Sequence, residues 1–171
     1  MERILQRRDF LKRLCVGAAA VTARGMVSFG AGDKHDKPNI VLIMADDLGY
    51  GDLGCYGNKT IRTPNLDALA QGGMRFTDFH SNGAMCSPTR AALLTGRYQQ
   101  RAGIQSVLSA RGNYETGMAP AEITFAEVLK TAGYATACFG KWHLGYQPTF
   151  NPVRQGFDAY RGFVAGGLDY H

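Results

Sequence analysis

Apolar residues in this chain fall into short continuous runs and helix-spaced patches, punctuated by glycine and proline. Asn39-Ile40-Val41-Leu42-Ile43-Met44-Ala45 is continuous, apolar and β-branched. It is too short for an ordinary helix and has no polar alternation, so it predicts a strand buried on both faces. A glycine-rich loop from Gly49 to Gly57 follows. Thr63-Pro64-Asn65-Leu66-Asp67-Ala68-Leu69-Ala70 predicts a helix, with threonine as cap and proline in the first turn, where its missing N–H costs nothing. Met74 to Phe79 predicts a second strand. Thr124-Phe125-Ala126-Glu127 reads as a capping box, and Val128, Leu129 and Ala132 extend its apolar face to a stop at Gly133. Tyr134 to Phe139 predicts a third strand, released into a loop by Gly140. Strands separated by helices predict an α/β layered fold with a mostly parallel sheet.

Composition refines this picture at the N-terminus. The chain has 171 residues, 45% hydrophobic and 19% charged, in keeping with one ordinary globular core. Its formal charge of +5 is uneven: residues 1–37 hold eight Lys/Arg against four Asp/Glu, and residues 38–171 hold eleven against ten. The basic excess sits in the leader, which leaves no basic stripe for nucleic acid and argues against a nucleic-acid partner. No uninterrupted apolar run is long enough to span a bilayer. Residues 1–31 read as an export signal. Arg7-Arg8-Asp9-Phe10-Leu11-Lys12 resembles the twin-arginine signature, and a weakly apolar stretch from Leu14 to Ala23 and small residues near Gly30 and Ala31 follow it. This predicts the twin-arginine export machinery as a partner and a periplasmic or secreted location. The alternative is a basic amphipathic N-terminus that stays cytoplasmic. Lys12-Arg13-Leu14 before Cys15 does not form a lipoprotein box, so no lipid anchor is expected. Residues 32–37 form a polar linker, and the folded region begins at Pro38. An oxidising compartment permits a Cys55–Cys138 bridge, but two cysteines do not establish one, and buried free thiols are the expectation.

Three segments carry candidate chemistry. In Cys86-Ser87-Pro88-Thr89-Arg90-Ala91-Ala92-Leu93-Leu94-Thr95-Gly96-Arg97, Ser87 can cap a helix, Pro88 suits its first turn and Gly96 can end it. Cys86 then stands at a helix N-terminus with Arg90 one turn away, a setting that lowers a thiol pKa and attracts anions. The plain alternative is a capped helix after a buried cysteine. Asp46-Asp47 stands at the C-terminal end of the first predicted strand, where α/β folds place ligands. Adjacent carboxylates repel unless a cation joins them, and hard oxygen donors suit Ca²⁺ or Mg²⁺. Alternatively, Asp46 caps the turn and Asp47 faces solvent. Gly140-Lys141-Trp142-His143-Leu144-Gly145 follows the third predicted strand, where a lone lysine or histidine is ordinarily solvated or packed.

Together these segments resemble the formylglycine-dependent sulfatases of the alkaline-phosphatase-like superfamily. The run from Cys86 matches their signature of Cys, any residue, Pro, Ser or Thr, Arg, and a small apolar stretch ending Thr-Gly-Arg; Pro38 to Gly49 and the Gly-Lys-Trp-His-x-Gly block match as well. The resemblance implies an α/β/α layered fold with a mostly parallel mixed sheet. It implies that a maturation enzyme reading Cys86, Pro88 and Arg90 oxidises Cys86 to formylglycine. It also implies that Asp46, Asp47 and residue 86 bind a divalent metal, Ca²⁺ foremost with Mg²⁺ as the alternative. Arg90 and Lys141 would hold the formylglycine and offset negative charge, and His143 would hydrogen-bond its spare hydroxyl. Trp142, Gly156-Phe157-Asp158 and Gly166-Gly167-Leu168-Asp169-Tyr170 would be structural. The resemblance covers Pro38 to His171, but sulfatase catalytic domains are longer. Residues 38–171 are therefore expected to be the N-terminal part of one, truncated on its C-terminal side, without the further Asp and Asn for the metal. The implied activity is hydrolysis of aryl or carbohydrate sulfate esters. The alternatives are a phosphoester or phosphonate hydrolase of the same superfamily, and an inactive truncated domain.

Overall fold

The computed structural model describes residues 37–169. The expected export signal with Arg7-Arg8 and Cys15, the linker before Lys37, and Tyr170 and His171 lie outside the described residues. The chain divides into two units, Met1–Met44 and Ala45–His171. In the first, residues 37–44 form no strand, and Val41 and Ile43 are 83% and 82% exposed. This corrects the expectation of a strand buried on both faces. Such a strand needs ladder partners and a covering layer on each side, and no strand among the described residues pairs with this run.

The second unit is built from three helices and a two-stranded sheet among the described residues. The loop after Asp47 carries two 3₁₀ turns, Tyr50–Asp52 and Gly54–Tyr56. Helix α1, Pro64–Gly72, has Thr63 at its N-cap position and proline in the first turn. The Thr63 hydroxyl caps no backbone N–H of the helix and joins it to the loop instead: Oγ1 accepts from the Gly54 N–H at 2.8 Å and donates to the Asp67 carboxylate at 3.0 Å. The predicted strand Met74 to Phe79 is absent. Its backbone binds side chains of the 3₁₀ loop, with the Phe76 and Thr77 carbonyls accepting the Tyr56 and Tyr50 hydroxyls at 2.7 and 2.9 Å.

Helix α2, Cys86–Thr95, ends at Gly96 in the left-handed conformation, where a Cβ is costly. Helix α3, Phe125–Thr131, has the expected capping box: Thr124 Oγ1 accepts from the Glu127 N–H, and the Glu127 carboxylate accepts from the Thr124 N–H at 2.7 Å. Strand β1, Ala137–Lys141, pairs in parallel with β2, Ala159–Phe163, in the register Ala137 opposite Ala159. β1 starts later than Tyr134 and runs through Gly140. A clamp just before the ladder explains the shift: Asp158 accepts from the Thr136 N–H at 2.8 Å, and the Asp158 N–H donates to the Thr136 carbonyl at 2.9 Å.

Ala91, Leu94, Ala102, Ile104, Leu108, Met118, Ala126, Trp142, Leu144 and Phe157 make up the core beneath α2, α3 and the β1 end. Trp142 meets Phe157 edge to face at 6.2 Å, and its indole N–H donates to the Phe150 carbonyl at 2.8 Å, so its role is packing. Cys55 and Cys138 are free and half-buried. No helix among the described residues is long and apolar enough to cross a membrane.

Thr124 is fully buried and also donates to the Gln155 carbonyl at 2.7 Å. Thr124→Ala is expected to lower unfolding stability by about 1–2 kcal/mol, read as a lower urea midpoint at unchanged slope. Asp158 offers a pH test. Hydrogen bonds from Lys130, then from the Thr136 backbone, hold its carboxyl below the usual range. Its stabilising effect is therefore present above the ordinary carboxylate pKa of about 4 and is lost as pH falls through the lower folded value. The stability gap between the chain and Asp158→Asn should close with acidification below about pH 4, in urea titrations repeated across that range.

Candidate active site

The first turn of α2, the C-terminal end of β1 and the Asp46-Asp47 turn converge on one locus. Cys86 is the first residue of α2, after an N-cap at Met85. The Lys141 ammonium lies 3.3 Å from Cys86 Sγ and 2.7 Å from Asp46 Oδ2, donating to both. Arg90 lies one helical turn after Cys86 and contacts both Asp46 and the Lys141 backbone: Nη2 is 3.3 Å from Asp46 Oδ1, and Nη1 donates to the Lys141 carbonyl at 2.7 Å. That second bond ties α2 to the end of β1. The cations are largely shielded, with side chains 8% exposed for Lys141 and 11% for Arg90, while that of Asp46 is 43% exposed. Two nearly buried cations beside one carboxylate form a charge-assisted cluster open on the carboxylate side.

The hydrogen bond from Lys141 chiefly holds the Asp46 carboxyl below its ordinary pKa, and Arg90 adds to it against the opposing effect of burial. Burial works against the Lys141 charge, but the bonds to Asp46 and Cys86 outweigh it and leave the ammonium above its ordinary value. Asp46, Asp47 and Cys86 each present a ligand atom within 4.8 Å of the others. Asp47 and His143 both adopt positive φ, 55° and 60°, and are the non-glycine residues in that region among the described residues. Backbone strain of this kind collects at functional sites.

His143 is 3% exposed. Its backbone N–H donates to the Val164 carbonyl at 3.2 Å, and its Nε2 lies 2.7 Å from the Leu108 carbonyl. Burial pulls its pKa below the ordinary value, opposed by the Leu108 carbonyl and Asp46 and assisted by the Lys141 and Arg90 charges. The imidazole is thus held neutral. All the residues singled out in the sequence, Asp46, Asp47, Cys86, Arg90, Lys141 and His143, lie in this one region of the second unit.

Ser87 departs from its sequence reading. It does not cap α2; it is fully buried in the first turn, and its hydroxyl accepts from the Leu108 N–H at 3.1 Å. Local rules favour the cap, but a tertiary partner 21 residues away takes the hydroxyl. Leu108, Tyr146 and Gly166 were not identified from the sequence as neighbours of His143. Leu108 contributes only its backbone, which no side-chain motif reports.

A sulfatase family model matches residues 38–171. Human arylsulfatase A is 55% identical over 130 residues, covering 73% of this chain and 25% of that protein. The crystal structure titled Ps i-CgsB is 46% identical at a TM-score of 0.74, covering 78% of this chain and 30% of that one. The structure of BT4656 in complex with its substrate D-glucosamine-2-N,6-O-disulfate is 36% identical at a TM-score of 0.61, covering 72% of this chain and 22% of that one. The chain spans about a quarter of the length of the curated relatives it matches. With this likeness in fold and sequence, the chain belongs to the sulfatase family and carries its alkaline-phosphatase-like α/β fold.

Proposed function

We propose that this chain carries the nucleophile side of a site that hydrolyses sulfate esters, with residue 86 acting as formylglycine. The observation that carries the reading is the Lys141 ammonium bridging Asp46 and Cys86, with Arg90 bound to the same carboxylate. It joins a would-be nucleophile, an anion-binding pair of cations and a carboxylate in one cluster. The likeness to arylsulfatase A and to a structure holding a sulfated glucosamine supports aryl or carbohydrate sulfates as the substrate class.

The donor set fits a hard divalent cation. Asp46 and Asp47 offer carboxylate oxygens, and their ligand atoms lie close to that of residue 86. Asp46, Asp47 and residue 86 would hold the ion, Ca²⁺ foremost. When bound, it supplies Lewis-acid polarisation of oxygen in the site. The chain's own residues do the rest. A maturation enzyme that supplies a two-electron oxidant converts the Cys86 side chain to an aldehyde, with its sulfur released as sulfide, and the aldehyde adds water to give two hydroxyls. One oxygen attacks sulfur, the ester S–O bond breaks, and the alcohol leaves with a proton. The second hydroxyl then loses its proton, the carbonyl re-forms, and sulfate is expelled as its bond to carbon breaks. Arg90 and Lys141 offset the negative charge that develops on the sulfate oxygens. His143, neutral and buried, accepts the proton of the spare hydroxyl. Export by the twin-arginine route to the periplasm or beyond completes the reading, with residues 1–31 as the signal and 32–37 as the linker.

Co-expression with a formylglycine-generating enzyme should convert Cys86 to an aldehyde. Peptide mass spectrometry checks this, and a persistent Cys86 thiol under those conditions refutes the proposal. Arg90→Ala should reduce the conversion. Parallel assays of aryl sulfate and aryl phosphate by the matured protein would separate the sulfatase reading from a phosphoester hydrolase. For the metal, Asp47→Asn should weaken Ca²⁺ binding on the order of tenfold, because a two-carboxylate site loses half its formal charge. Isothermal titration of the whole chain against its Asp47→Asn variant measures this.

A further inference from the structure

The site contains a second hydrogen-bonded chain behind the charged cluster. Leu108 lies on a segment of irregular structure, yet it is buried and both of its backbone polar groups are engaged. Its N–H donates to the Ser87 hydroxyl at 3.1 Å. Its carbonyl receives His143 Nε2 at 2.7 Å and the Tyr146 hydroxyl at 3.2 Å. A carbonyl only accepts, so the nitrogen facing it must carry the proton. In a neutral imidazole the other nitrogen is then an acceptor, and His143 Nδ1 is buried without a partner among the described residues. Gly166 closes the ring's other side: a Cβ there would stand 2.6 Å from His143 Cε1 and 2.7 Å from Nε2, closer than atoms pack.

We propose that Ser87, Tyr146 and Gly166 are positioning residues that clamp the Leu108 peptide and the His143 ring, fixing His143 as the Nε2-protonated tautomer with Nδ1 as its proton acceptor. The inference rests on the reading of His143 as the group that takes the proton of residue 86. It adds the device that sets the proton inventory of the ring. Ser87 follows Cys86 directly, so one turn of α2 places the nucleophile and, through Leu108, orients the base. If the Leu108 peptide rotates, the Nε2–H loses its acceptor, and the tautomer with the proton on Nδ1 gains population. That form has no lone pair at the acceptor position and cannot take the proton there. Tyr146 holds the same carbonyl from a second direction, and the missing Cβ at Gly166 leaves the room the ring occupies.

The test is a long-range ¹⁵N–¹H imidazole spectrum of the whole chain labelled at histidine, with His143 assigned by the signal lost in His143→Gln. The expected spectrum has a protonated Nε2 and a bare Nδ1. Ser87→Ala and Tyr146→Phe should each raise the Nδ1-protonated fraction, by about fivefold for Ser87→Ala, the effect of one ordinary hydrogen bond, and by less for Tyr146→Phe. A wild-type His143 protonated on Nδ1 overturns the proposal, and this result needs no variant to fold. Spectra of Tyr146→Phe and Ser87→Ala identical to that of the parent chain overturn it too. Failure of Cys86 to mature would refute the proposed function and leave the tautomer untouched, so the two failures are distinguishable.

Discussion

The charge balance around Asp46 is the constraint on which the site depends. A carboxylate beside a second carboxylate and a thiol is tolerated because Lys141 and Arg90 lie within hydrogen-bond reach. These two cations are less exposed than the carboxylate, so their own desolvation is offset by that same carboxylate. Arg90 also binds the Lys141 carbonyl, so electrostatics and backbone positioning share one side chain. Removing Arg90 would therefore disturb both the charge and the joint between α2 and β1. Arg90 cannot be exchanged conservatively for lysine here, because its two nitrogens serve two different acceptors.

The local signals were the legible ones. The capping box at Thr124 and Glu127, the proline start of α1 and the left-handed stop at Gly96 all stand where the sequence puts them, because each is decided within one helical turn. The charged residues of the site were legible through motif likeness, and they do share one locus. The strands were read less well. Residues 39–45 and Met74 to Phe79 have strand composition but no ladder partner among the described residues, and β1 begins where the Thr136–Asp158 clamp allows. Pairing is a property of two segments, so a one-segment pattern reports only willingness to pair. Ser87 shows the opposite error: its local preference for capping was genuine, but a buried backbone N–H from a distant loop took the hydroxyl.

The relatives are about four times as long as the stretch they share with this chain. Within that stretch the joint between α2 and β1 forms a closed set of contacts: Arg90 to Lys141, Ser87 to Leu108, and Leu108 to His143 and Tyr146. Each contact links residues distant in sequence, so the geometry around residue 86 is set by the packed unit from Ala45 onward rather than by any one helix.

The positive φ angles of Asp47 and His143 have an evolutionary consequence. A side chain at such a backbone position costs on the order of 1–2 kcal/mol that glycine would not. Drift under selection for foldability alone would replace both by glycine and yield a sturdier chain. The aspartate and histidine at these positions keep their side chains at that cost. They are also where glycine substitutions made for thermostability would remove side chains that the proposed chemistry uses.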